Sequence, residues 1–111
     1  PLIALGGAVG SILRYLMVSA IGAPLGTAAV NVIGSLAIGM LFVLIGSREA
    51  WQVFLMTGVL GGFTTFSAFS LDTLKLIQTG QYMQAGGYVL GSVLLSLVAV
   101  AFGVALARSL S

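Results

Sequence analysis

The widest constraint on this chain is the distance between its charges. Arg14, Arg48, Glu49, Asp72, Lys75 and Arg108 are the whole charged inventory, 5% of 111 residues, where an ordinary soluble domain carries about a quarter. The apolar runs between them reach roughly 20 residues, the length at which a helix crosses a ~30 Å hydrocarbon core. A soluble chain of this size has no single core in which four such runs could be hidden. The sequence therefore predicts an all-α integral membrane protein, one domain over residues 1–111, with four transmembrane helices over about 2–21, 26–45, 51–76 and 84–107. Its predicted surroundings are the lipid bilayer on all sides.

Turn-forming clusters separate the spans: Gly22-Ala-Pro24, Gly46-Ser47-Arg48-Glu49 and Gln78-Thr-Gly80-Gln81. Trp51, Tyr82 and Arg108 suit the membrane–water interface and mark span ends. The first apolar run has no basic leader and continues too long for a signal peptide, so it reads as a span. The absence of cysteine and histidine removes disulfides, Cys/His metal sites and histidine-based nucleophilic triads. No nucleophile–base pair is visible, so an enzyme is not expected. A net charge of +2, dispersed, gives no footprint for nucleic acid.

The third span is not uniform. Thr57-Gly-Val-Leu-Gly-Gly-Phe-Thr-Thr65 places three glycines and three threonines at mid-bilayer. Two readings stand. The small residues let helices pack closely, or the segment is a broken helix, tolerated at that depth only inside protein or beside a wet cavity. A break would bare carbonyl oxygens, which coordinate cations. Gly6-x-x-x-Gly10 and Gly87-x-x-x-Gly91 each put two glycines one turn apart, as close packing or oligomerisation requires.

With four spans, both termini and the second loop share one side, which holds Arg48 and Arg108; Lys75 lies on the other. An excess of about one positive charge directs insertion weakly. Copies inserted both ways would pair as an antiparallel, dual-topology homodimer.

Polar residues in the spans form stripes. Thr27, Asn31 and Ser35 are spaced by four on the second helix, and Tyr88, Ser92 and Ser96 on the fourth, so each set shares a face. Such side chains either bond helix to helix or offer O–H and N–H donors to an anion that must shed water. Asn31 stands apart, because an unpaired amide in mid-membrane is costly. Past the glycines, Phe63-Thr-Thr-Phe66-Ser67-Ala-Phe69 places Phe66 and Phe69 three apart on a resumed helix. Phenylalanine ring edges carry positive quadrupole charge that can face an anion; otherwise these rings simply face lipid. Arg14, inside an apolar helix, must snorkel, pair with an acid, or bind helix-end carbonyls, in an architectural or vestibule role. Asp72 and Lys75 are spaced for a pair within one helix near its end.

The segments Gly6-Gly-Ala-Val-Gly-Ser-Ile-Leu-Arg14-Tyr15, Gly26-Thr27-Ala-Ala-Val-Asn31-Val-Ile-Gly34 and Gly61-Gly62-Phe-Thr64-Thr65-Phe66-Ser67-Ala-Phe69 resemble the Fluc/CrcB fluoride channel family. The likeness runs over essentially the whole chain, and the last string is its most specific part. It implies a dual-topology homodimer with two anion pores in the bacterial plasma (inner) membrane, passing fluoride passively out of the cytoplasm and so conferring fluoride resistance. By that resemblance Asn31, Phe66 and Phe69 are pore residues, Tyr88, Ser92 and Ser96 a polar track, and Thr27 and Ser67 further fluoride-facing groups. It also implies a structural sodium ion (Na+) at the dimer interface, held by backbone carbonyls of Gly61 and Thr64, and a structural or vestibule arginine at Arg14. The rival reading is a small four-helix proton-coupled multidrug or cation antiporter, which needs a membrane-embedded carboxylate. Glu49 lies in a loop and Asp72 is expected near a helix end, so that group is missing from the sequence reading.

Overall fold

The computed structural model describes residues 1–111. It is all-helical, with four helical stretches long and apolar enough to cross a membrane: Leu2–Ile21, Leu25–Ile45, Glu49–Gln78 and Tyr82–Leu110. We label α1 (Leu2–Ile21), α2 (Leu25–Ile45), α3 (Glu49–Trp51), α4 (Gly61–Phe63), α5 (Ser67–Gln78) and α6 (Tyr82–Leu110), with a π-helix over Gln52–Leu60 between α3 and α4. The last two spans are longer than the apolar runs, because helix continues through their polar flanks. Tyr82 and Arg108 consequently lie inside α6 rather than beyond its ends. At 29 residues, α6 would be roughly 43 Å long at 1.5 Å per residue.

Polar caps close the ends that face water. The Arg48 guanidinium folds back on α2, donating from Nε to Ile45 O at 3.0 Å and from Nη2 to Leu44 O at 2.8 Å. This basic side chain at a helix C-terminus satisfies orphan carbonyls and complements the helix dipole.

Both readings of the glycine-rich segment hold, at different residues. The glycines stay helical: Gly61 has φ −61° and ψ −37°. The break falls one step later, at Thr64, whose φ −83° and ψ 159° are extended. It is therefore narrower than Thr57–Thr65, and it sits on the β-branched pair, which loses most by staying helical. The π-helix before it has no signal in the sequence pattern.

The glycines serve contact. A side chain on Gly10 would drive its Cβ into Val59 O and Phe63 N, so α1 lies backbone to backbone on the π-helix and α4. The same notch recurs reciprocally between α2 and α6: a Cβ on Gly39 would strike Val100 O, and one on Gly103 would strike Leu36 O. By contrast, a Cβ at Gly87 or Gly91 meets nothing within 4 Å, so that pair is unused inside the protomer.

The break also lets the third span change partners. The π-helix and α4 pack on α1, whereas α5 packs on α6, and α2 runs along α6. The result is a thin slab of 47 × 31 × 19 Å. Its outside is apolar, with Leu90, Leu94, Leu97, Val98 and Phe102 all exposed, as a lipid-facing surface requires.

Gly10→Ala and Gly103→Ala should each destabilise the folded protein by about 1–3 kcal/mol, the usual cost of overpacking. Gly86→Ala, where nothing lies within 4 Å, should be neutral or slightly stabilising. Thermal unfolding in detergent, followed by tryptophan fluorescence, separates the two classes.

Candidate functional site

Stopping a helix in mid-span strands the carbonyls of its last turn, and the side chains around the break follow from that fact. Asn31 of α2 closes a two-way clasp on Thr65: its Nδ2 donates to Thr65 O at 2.9 Å, and Thr65 N donates to Asn31 Oδ1 at 2.8 Å. The Gly62 carbonyl accepts from Arg14 Nε at 3.0 Å. Thr64 Oγ1 donates back to Leu60 O at 3.0 Å, a habit of threonine that bends helices. Thr65 Oγ1 accepts from Ala68 N at 3.2 Å, capping α5. Of the options open to Arg14, the structure takes the helix-end carbonyl.

Two carbonyls come out of this exchange without their helical donors. In a continuous helix Gly61 O would accept from Thr65 N–H and Thr64 O from Ala68 N–H. The first of these is turned to Asn31 and the second to the Thr65 hydroxyl. Gly61 is exposed on the surface of the chain.

Beside the break lies an open cleft of about 430 Å³. Asn31 and Ser35 line it from α2, Ser92 and Ser96 from α6, and Gly61, Thr64, Thr65, Phe66 and Phe69 from the third span. The two polar stripes thus meet across it, and no charged side chain is in its wall. Ser92 Oγ is buried with no hydrogen-bond partner. Asn31 spends one Nδ2 hydrogen on Thr65 and keeps a second.

Thr27, Tyr88 and Ser67 are outside this wall. Thr27 faces a second hollow of about 320 Å³ with Arg14, Ser11, Tyr15 and Ser19, and Thr65 borders both hollows. Ser67 is exposed, its Oγ 3.4 Å from Thr65 Oγ1. Tyr88 is buried, and its ring centroid lies 5.1 Å from that of Phe69, which is 5.6 Å from Phe66. Phe69 is 8% exposed and Phe66 77%, so the two rings differ sharply in surroundings despite sharing a helix face.

Asp72 corrects the sequence expectation. It makes no intrahelical pair with Lys75, which is exposed. It is buried, and its Oδ2 accepts from the Tyr88 hydroxyl at 3.3 Å. The signal for it was present: Asp72 follows Phe69 by three, so both occupy one face of α5. The role of Thr65, whose N–H, carbonyl and hydroxyl are all engaged, left no mark in the sequence pattern.

The profile of the family described as CrcB-like protein, Camphor Resistance (CrcB), matches residues 1–104. This chain belongs to the CrcB family. Among its CrcB relatives, the fluoride-specific ion channel FluC of Paracoccus denitrificans is 50% identical over 115 residues, covering 97% of this chain and 93% of the relative. The fluoride-specific ion channel FluC of Rhizobium meliloti is 49% identical over 119 residues, covering 98% and 95%. That of Helicobacter pylori strain HPAG1 is 47% identical over 117 residues, covering 96% and 90%. The protein is thus a multi-pass CrcB-family membrane protein with its third span broken.

Asn31→Leu should leave the Thr65 N–H and carbonyl unpaired at a cost of about 1–3 kcal/mol for each buried group. The expected readout is faster hydrogen exchange at the Thr65 amide, with amides in the middle of α2 unchanged.

Proposed function

We propose that this chain is one protomer of a fluoride-selective passive anion channel, an antiparallel homodimer in the bacterial inner membrane that lets F⁻ leave the cytoplasm down its gradient. The observation that carries the reading is Ser92, whose hydroxyl is buried in the cleft wall without a partner. An orphan donor costs about 1–3 kcal/mol, a cost that an anionic acceptor in the cleft offsets. The mostly apolar wall carries the neutral donors Asn31, Ser35, Ser92 and Ser96 and has no carboxylate, which favours an anion over a cation. Fluoride is small and strongly hydrated, so it leaves water only for donors at close range. The names of the relatives supply the choice among anions.

In this reading Asn31, Ser92 and Ser96 face the ion in the cleft, and the edges of Phe66 and Phe69 add weak positive field. Thr27 and Ser67 extend the path at its ends, and Tyr88, whose hydroxyl is bonded to Asp72, backs it through its ring against Phe69. Conduction requires that each contact hold the ion loosely, which neutral donors do better than cations. Arg14 spends Nε on Gly62, and its remaining N–H groups attract anions into the second hollow as a vestibule.

Gly61 and Thr64 carbonyls fit a cation, because both lost their helical donors at the break. A sodium ion bound there supplies positive charge that offsets an anion buried nearby. The same reading calls for a second copy, since a slab 19 Å thick is too thin to enclose a path alone. The weak charge bias between the two sides supports opposite orientations. The antiporter reading gains from the burial of Asp72, but that carboxylate is bonded to Tyr88 and stands outside the cleft wall.

Reconstituted in liposomes, the protein should release F⁻ rapidly, uncoupled from protons and with negligible chloride release. Asn31→Asp and Phe66→Ile should each abolish that flux or cut it about tenfold or more, as a loss of ~1.4 kcal/mol at one site does. Proton-coupled cation movement, or flux unchanged in both variants, would count against the assignment. Replacing sodium by a bulky organic cation should shift the detergent-solubilised dimer toward monomer on size exclusion.

A further inference from the structure

The hydroxyl of Tyr88 points away from the work its stripe implies. Ser92 and Ser96, four and eight residues further along α6, line the cleft, but Tyr88 donates to a carboxylate instead. Asp72, on that carboxylate's side, is buried, lies outside the cleft wall, and belongs to a different helix. Three features then line up. The Asp72–Tyr88 bond ties α5 to α6 across 16 residues of sequence. The Tyr88 ring lies against Phe69, centroids 5.1 Å apart and planes at 42°. Phe69 lies against Phe66, and both rings border the cleft.

We infer that Asp72 is a positioning residue: its carboxylate holds the Tyr88 hydroxyl, so that the Tyr88 ring fixes Phe69 and the edge it presents to the cleft. The inference rests on the channel reading given above. The need for such a tie follows from the break. The N-terminal end of α5 is held by the Asn31 clasp and the Thr65 cap. Upstream of it the break leaves no continuous helix to set the rotation of α5 about its own axis, and a small rotation would carry Phe69 out of register. A bond one turn past Phe69, on the same face, resists that rotation. A tyrosine suits the far end because one side chain supplies both the donor and a rigid ring.

Two other roles for Asp72 fit less well. A pair with Lys75 is not formed, since Lys75 is exposed. Direct contact with a passing anion is opposed by like charge, and the carboxylate is not in the wall.

The test is fluoride and chloride efflux from liposomes holding wild type, Asp72→Asn, Asp72→Leu, Tyr88→Phe and the Asp72→Leu/Tyr88→Phe double variant. Asn keeps an acceptor oxygen in the same place, so Asp72→Asn should stay within about twofold of wild type, inside the usual scatter of such comparisons. Asp72→Leu and Tyr88→Phe should each slow fluoride release about tenfold, equivalent to one lost hydrogen bond of ~1.4 kcal/mol, and raise chloride leak. The double variant should be no slower than either single one, because both remove the same bond. Asp72→Asn as slow as Asp72→Leu would overturn the inference, since charge and not an acceptor would then matter. So would a double variant slowed by the product of the two singles, or Tyr88→Phe at wild-type rate. Should Asp72→Leu elute as aggregate, the contrast between Asp72→Asn and Tyr88→Phe decides the question without it. Wild-type vesicles that retain fluoride would refute the channel reading itself, a result distinct from any of these.

Discussion

A broken helix in a bilayer is stable only if something replaces the hydrogen bonds it gives up, and here one amide supplies two of them at a single residue. Asn31 matches the peptide group of Thr65 donor for acceptor, a pairing a backbone strand would otherwise make. A hydroxyl must donate and accept through a single atom, and a carboxylate could not donate. The geometry of everything near the cleft descends from this clasp. Once Thr65 N–H turns to Asn31, the Gly61 carbonyl is freed, helix restarts at Ser67, and Phe66 and Phe69 border the cleft.

Much of this was legible from residue spacing. Charge scarcity and run length give four spans without ambiguity, because nothing else accommodates such runs. The four-residue repeats Thr27-Asn31-Ser35 and Tyr88-Ser92-Ser96 identify two faces, and the structure sets Asn31 and Ser35 opposite Ser92 and Ser96. The repeat could not say that each stripe leaves the cleft at one end. That depends on where α5 sits, which depends on the break.

Asp72 was read through its neighbours in sequence, where Lys75 is the obvious partner, yet a helix inside a membrane gains more by joining its polar groups to another helix than by pairing them in place. The glycine-rich stretch left close packing and a broken helix both open, and the structure takes both, with packing at the glycines and the break at Thr64. In lipid the absence of Cβ serves as a contact surface, and Gly10, Gly39 and Gly103 show the separation of backbones falling to the limit. The π-helix over Gln52–Leu60 packs on α1 and has no residue signature of its own.

The change of partner along the third span divides that span in two. Its first half answers to α1 and its second to α6, with a few extended residues between them. The two ends of the span thus sit in separate packing neighbourhoods, joined by a short non-helical stretch rather than by one rigid rod.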